Sequence, residues 1–343
     1  MQTEIIDLRS DTVTLPTEGM KTAMSEAVLG DDVIDIDPTV EKLQETVADI
    51  VGKEAAIFMP SGTMTNQIGI RIHCQPGDEL ICEDGCHIYN YEQAGFAQLS
   101  GIVSRPVSGK DYKLTLDDIK DKVRPINEHM ARTRLLCLEN THNRGGGSIL
   151  PIDDVREMTG WAKEKGLATH LDGARLFNAV VASGISAKEW SAGFDTVSLC
   201  FSKGLGAPVG SALAGSKEHI AIARRHRKLF GGGMRQAGVI ASAALYGLEN
   251  QIDRLAEDHA NAQIIANAIE ASEHLHLEPT KVDTNIIIFR VDIPGVSAAE
   301  YVTQLESKGI RTLPFSEKHV RMVTHLGVDK EAVETAAKLL KKS

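Results

Sequence analysis

Between about positions 45 and 245, short apolar runs alternate with stretches whose apolar residues recur every three to four positions. AAIFM (55–59), ELICE (79–83), RLLCLE (134–139), LATHLD (167–172), TVSLCF (196–201) and GSALAG (210–215) lack a helical period and read as strands. Segments 63–74, 152–165, 216–229 and 234–249 carry the helical spacing. Such alternation predicts an α/β fold, a mostly parallel sheet covered by helices on both faces. Ligands of these sheets gather at the carboxyl ends of the strands.

From about 251 the pattern changes. A helix over 252–270, the strand TNIIIFRV (284–291), a helix over 297–308, the strand VRMVTH (320–325) and a helix over 329–341 predict a small α+β unit. The first forty or so residues hold few core-like runs and are expected to wrap as an arm. The expected division is therefore an arm over 1–45, a large domain over 46–250 and a small domain over 251–343.

Composition narrows the class. The 343 residues suit roughly two domains. Apolar and charged fractions of 42% and 24% are those of a globular protein with a full core. A formal net charge of −10 argues against a nucleic-acid footprint. No run approaches the ~20 apolar residues of a membrane span. The start MQTEIIDLRSD has neither the basic residues nor the apolar run of a signal peptide, so a cytoplasmic location is expected. Five scattered cysteines, Cys74, Cys82, Cys86, Cys137 and Cys200, do not form a disulfide framework. CEDGCH offers Cys82, Cys86 and His87 at a spacing seen in zinc sites, but no second pair of ligands follows, and no metal is expected.

Chemistry concentrates in DTVSLCFSKGLGAPVGS (195–211), where Lys203 directly follows a buried strand. An ammonium group is a poor occupant of such a place unless something uses it. Held away from water, a lysine favours the neutral amine that condenses with an aldehyde. Upstream, KGLATHLDGAR (165–175) runs a second apolar strand into Asp172. An enzyme using pyridoxal 5'-phosphate needs such a lysine, and a carboxylate to keep the pyridine nitrogen protonated. MPSGTMTN (59–66) follows the AAIF strand and opens a helix, so Ser61, Gly62 and Thr63 form either a phosphate site or an ordinary helix cap. Beside Asp172 and Lys203, the phosphate reading is favoured.

RSDTVTLPT (9–17), GDDV and DPTV (30–40), SGTMTN (61–66), ENTHNRGGG (139–147), HLDGARLFNA (170–179), SKGLGAPVGS (202–211), GGGMRQAG (231–238) and VRMVTH (320–325) together resemble the threonine aldolase family. The similarity runs in order along essentially the whole chain. It implies the aspartate-aminotransferase-like fold with a seven-stranded sheet, pyridoxal phosphate on Lys203, and retro-aldol cleavage of threonine or allo-threonine to glycine and acetaldehyde. By motif, Asp172 resembles the partner of the ring nitrogen and His87 the histidine stacked on the ring. Ser10, Arg175 and Arg321 match residues that grip the substrate carboxylate, a task suited to planar guanidinium groups. Lys228 and Arg235 match positions near the cofactor or across a subunit interface, which implies a homo-oligomer, dimer or tetramer, with shared active sites. His129 matches a histidine near the substrate's β-hydroxyl; the base is left open among His129, His87 and water. One departure stands out: GDDVIDIDPTV places Ile34 where the family commonly has an aromatic residue in a loop at the site entrance. β-Elimination or transamination would use the same lysine and aspartate, and a non-catalytic cofactor binder would have no need for the arginines.

Overall fold

The structure is a computed structural model that describes residues 5–342. Its strands, in chain order, are β1 (Ile6–Asp7), β2 (Ala55–Met59), β3 (Asp78–Glu83), β4 (Val103–Val107), β5 (Arg132–Glu139), β6 (Ala168–Gly173), β7 (Thr196–Cys200), β8 (Ser211–Gly215), β9 (Leu275–Leu277), β10 (Ile286–Val291), β11 (Ile310–Arg311), β12 (Leu313–Pro314) and β13 (His319–Val323). Seven of them form the central sheet, in the order β2-β8-β7-β6-β5-β3-β4. Every neighbouring pair is parallel except the two made by β8, which runs against β2 and β7. β3, β7 and β8 are buried along their whole length, as strands covered on both faces must be, and their apolar runs made them legible. β4, with sequence VSRPV, has no such run. It is an edge strand, where solvent takes one side and Pro106 displaces no ladder bond on the open edge.

A second core gathers around an antiparallel sheet, β12-β13-β10-β9, where Phe289, Met322 and Leu305 are buried with Ile265 of the helix Leu255–Glu270. The amino-terminal stretch is woven into both cores. Leu8 is buried in the second core and its carbonyl accepts from Val323 N at 2.9 Å, while β1 pairs with β11. Met20 belongs to the first core, as do Val40, Leu43 and Val47 of the helix Pro38–Val51, which runs through position 45. That helix starts at Asp37, whose carboxylate accepts from the amides of Thr39 and Val40, and ends at Gly52 with φ of 66°, a left-handed cap. Among the described residues, no helix is long and apolar enough to cross a membrane.

Candidate active site

The ends of β5, β6 and β7 lie side by side, with Glu139 opposite Asp172 and Asp172 opposite Ser198. Lys203 follows β7 in a loop closed by Phe201 N donating to Gly210 O (3.0 Å) and Gly206 N donating to Lys203 O (2.9 Å). The Thr14 hydroxyl donates to the same Lys203 carbonyl at 3.2 Å, so the loop is pinned from the amino-terminal stretch as well. Across from it the helix Gly62–His73 opens at Ser61, whose hydroxyl accepts from Met64 N. Ser61, Gly62, Thr63, His87, Asp172 and Lys203, all expected from the sequence, line one cavity of about 170 Å³. Lys203 is half-buried, and its Nζ makes no hydrogen bond or ion pair with any described residue.

Asp172 is buried; its Oδ1 accepts from Ala174 N (3.1 Å) and its Oδ2 from Asn66 Nδ2 (2.8 Å). The same Asn66 nitrogen donates to Glu92 Oε1 at 2.9 Å. Glu92 also accepts from Gln67 Nε2 (2.6 Å) and pairs with His87 Nδ1 (2.9 Å), and His87 N donates to Glu139 Oε2 (2.6 Å). Burial alone would discourage a charge on His87. The hydrogen bond that His87 Nδ1 donates to Glu92, with the fields of Asp172 and Glu139, outweighs it and raises the imidazole pKa above its ordinary value. Asn66 and Glu92 were missed in the sequence, although Asn66 closes the SGTMTN motif and Glu92 follows His87 by five positions. No local signal marked them: Glu92 is buried although its neighbours Asn90, Tyr91 and Gln93 are exposed.

On the other side of Lys203, Arg175 and Arg321 converge. Arg175 is buried, and its Nε and Nη2 both donate to the Asp11 carboxylate at 2.7 Å. Its fork is thus committed to an internal carboxylate, which narrows the direct grip expected of it. Desolvation opposes ionisation of Asp11, yet the guanidinium of Arg175, aided by Lys203 and Arg321, holds its carboxyl far below the usual range. Arg321 donates through Nη2 to Asn143 Oδ1 (3.0 Å), while its buried Nε has no partner. Burial and the neighbouring Arg175 charge bring its pKa down to about 10. The Asp11 carboxylate is taken up by Arg175, and Arg321 has no carboxylate within ion-pair distance among the described residues. Ser10 stands next to Asp11, its hydroxyl accepting from Thr12 N at 3.2 Å.

Five expected residues do not line this cavity: Ser10 and Arg321 stand beside Asp11 and Asn143, and three others lie away from it. His129 is exposed on the turn before β5, its amide held by Asn127 Oδ1, in a loop that leaves even Ile126 in solvent. Arg235 is exposed and paired with Asp31 at 3.1 Å. Lys228 lies on an outer face beside Asp32 and Arg227, lining a separate hollow of about 420 Å³. Ile34 is 79% exposed next to Asp31, also outside the cavity. A wider cleft of about 690 Å³ holds Lys113, Lys281 and Asp283, whose charges pair with one another.

The Beta-eliminating lyase family matches residues 7–292. The chain is 43% identical over 334 residues to the low specificity L-threonine aldolase of Escherichia coli K12, covering 97% of each protein. It is 40% identical to low-specificity L-threonine aldolase 1 of Arabidopsis thaliana, covering 93% of this chain and 91% of that one. The chain belongs to the threonine aldolase family. Among solved structures, the Leishmania major threonine aldolase superposes with a TM-score of 0.83 at 18% identity, covering 98% of this chain and 99% of that one, a likeness of fold. The fold is that of the type I pyridoxal-phosphate enzymes. Membership gives the cavity a cofactor to be tested against. Gly62 opens a helix toward it, and a Cβ there would come within 2.6 Å of Cys200 Sγ, so the glycine keeps that approach clear. Asp172 presents a buried carboxylate, Lys203 an unpaired amine and His87 a ring, and the hydroxyl of Thr141 is buried without a partner. These donors fit a phosphorylated pyridine aldehyde.

Proposed function

We propose that this protein cleaves L-threonine and L-allo-threonine, and β-hydroxy-α-amino acids generally, to glycine and the matching aldehyde. Pyridoxal 5'-phosphate is its cofactor, held by Lys203 at the aldehyde carbon, Asp172 at the ring nitrogen, His87 over the ring and Ser61–Thr63 at the phosphate. Bound there, it supplies an electron-poor ring that takes up the electron pair of the broken Cα–Cβ bond. The observation that carries the reading is the buried Arg321 guanidinium, which has no carboxylate partner and an unpartnered Nε: Arg321 and Ser10 receive the substrate carboxylate, and Arg175 stays oriented by Asp11. Fixing that carboxylate sets which Cα bond stands across the ring, and so which bond breaks. Asp172 keeps the ring nitrogen protonated, and Glu92 holds His87 by its Nδ1, leaving Nε2 to handle the hydroxyl proton.

The outward placement of Lys228 and Arg235, and the exposure of Ser61 and Thr63 at the cavity mouth, support a homo-oligomer in which a neighbouring copy completes each site. The acidic chain and its five unpaired, buried thiols support a cytoplasmic location. The test is incubation of the holoenzyme with each L-diastereomer while aldehyde and glycine are followed, together with borohydride reduction and peptide mapping. Aldehyde release and a pyridoxyl tag on Lys203 are expected. Ammonia and a keto acid in place of glycine would move the reading to β-elimination; a tag on Lys217 or Lys228 would overturn the site.

A further inference from the structure

His170 lies on β6 two residues before Asp172, fully buried, with its ring seated against the helix Gly62–His73 at Gly69. A Cβ at Gly69 would come within 2.5 Å of His170 Cε1, so the helix leaves this position bare for the ring. Nothing in the proposed chemistry touches His170, yet both of its nitrogens are engaged. Nε2 meets Asn66 Oδ1 at 3.2 Å and Nδ1 meets Thr196 Oγ1 at 2.9 Å. The Thr196 hydroxyl also meets His73 Nε2 at 3.0 Å, and His73 reaches the half-buried outer face of the same helix.

The polarity of this chain follows from its inner end. Asn66 has one nitrogen, and both of its protons go to carboxylates, Asp172 Oδ2 and Glu92 Oε1. Ionised carboxylates only accept, so the amide cannot be turned the other way, and its Oδ1 must accept from His170. His170 is then the Nε2–H tautomer, its bare Nδ1 accepting from the Thr196 hydroxyl. With that proton spent, Thr196 Oγ1 accepts from His73 Nε2–H. Every donor in the series points inward, to Asp172 and Glu92.

We infer that His170 is a positioning residue for Asp172: its Nε2–H locks the Asn66 amide with the NH₂ toward the carboxylates, so that Asp172 keeps a donor on Oδ2 while its other oxygen serves the bound ring. The series needs neutral imidazoles, and burial supplies them, pushing His170 down to about 4 and His73 to about 3. Asp172 is the charged group acting on His170 and pulls the other way, but burial prevails; His219, His170 and Arg134 act on His73 and add to the lowering. Without the His170 donor the buried Asn66 oxygen is left unpaired, and the amide loses its fixed place between Asp172 and Glu92. Asp172 then keeps Ala174 N on Oδ1 but loses its steady donor on Oδ2.

The inference rests on the reading of Asp172 as the ring-nitrogen partner, and the test separates the two. His170→Gln reproduces a donor at the Nε2 position, whereas His170→Asn reproduces only the Nδ1 position. The dissociation constant of pyridoxal phosphate and the pH dependence of its bound absorbance are measured for both, beside thermal stability and Asp172→Asn. His170→Asn should bind the cofactor about tenfold or more weakly, the range for a lost hydrogen bond near a charge, and displace the absorbance titration. His170→Gln should stay within about threefold of wild type. Equal behaviour of the two variants, or affinity that merely tracks melting temperature, overturns the inference. If Asp172→Asn weakens cofactor binding while His170→Asn does not, the inference falls alone; if Asp172→Asn leaves binding unchanged, the ring-nitrogen reading falls with it. Should His170→Asn not fold, Thr196→Val frees the tautomer with His170 in place and should weaken binding in the same direction; wild-type affinity there overturns the inference.

Discussion

Arg321 and Asp11 divide the labour of one charge balance, and each can be removed by itself. Arg321→Leu takes away the guanidinium with the unpartnered Nε. Losing a desolvated charged partner of a carboxylate typically costs about 2–5 kcal/mol, so kcat/KM for threonine should fall roughly thirty-fold to several thousand-fold. Cofactor absorbance should persist; turnover at wild-type efficiency would make Arg321 a bystander. Asp11 has the opposite sign. Its native pKa is depressed, so the folded state holds that carboxyl unprotonated where the unfolded chain would not. The stability it gives is present above about pH 4, the ordinary aspartate value, and is lost as pH falls through the native one. Asp11→Asn should therefore flatten the acid limb of a urea-melt stability curve and, by stranding buried Arg175, destabilise by about 3–5 kcal/mol near neutrality. An unchanged curve would mean that the pair contributes nothing. The placement of Lys203 and Asp172 at strand ends was legible because each closes or follows an apolar run. Asp11 was hidden, since one aspartate in a polar stretch carries no pattern; its neighbour Ser10 was noticed only through the resemblance.

Among the elements, the buried strands announced themselves through apolar runs, and β4 did not, because an edge strand need not be apolar. The helix expected over 234–249 starts at Gly238 instead, where the Asp37 carboxylate accepts the Gly238 amide at 2.9 Å, a partner 201 residues away that no local period could reveal. The helix opened by Ser61 is placed to within a methyl group. Gly62→Ala would set a Cβ 2.6 Å from Cys200 Sγ and push the helix start off β7. We expect about 1–3 kcal/mol of destabilisation and weaker cofactor binding, both measurable by melting and by titration. Adding Cys200→Ala should recover most of each. A double variant no better than Gly62→Ala would place the strain elsewhere.

For the molecule as a whole, alternation of runs gave the α/β class and the change of pattern near 251 gave the second sheet. How the two meet was not legible, since the contacts that join them, Arg175 with Asp11 and Arg321 with Asn143, pair residues 164 and 178 positions apart. Assembly carries its own expectation. Lys228, Arg235 and His129 point outward, as do the apolar side chains of Val28, Ile34 and Leu229, at 66%, 79% and 65% exposure. Sedimentation at micromolar concentration should show a homo-oligomer, and Arg235→Ala mixed with Lys203→Ala should regain activity by pairing one intact site. A fully active monomer, or no complementation, would contradict shared sites.

The pairing of β1 with β11, and of Leu8 with Val323, has a consequence for how the protein is made. As the chain leaves the ribosome, every strand that frames the ring's cavity exists once residue 215 is out. Ser10 and Asp11, synthesised long before their partners, sit on a segment whose sheet partner is residue 310 and whose carbonyl's donor is Val323. Domains fold as they emerge, so the half that holds the cofactor can form first. Arg321 reaches the place beside Asn143 only when β13 is delivered, so a nascent chain leaves the side of the site formed by Arg321 open until then.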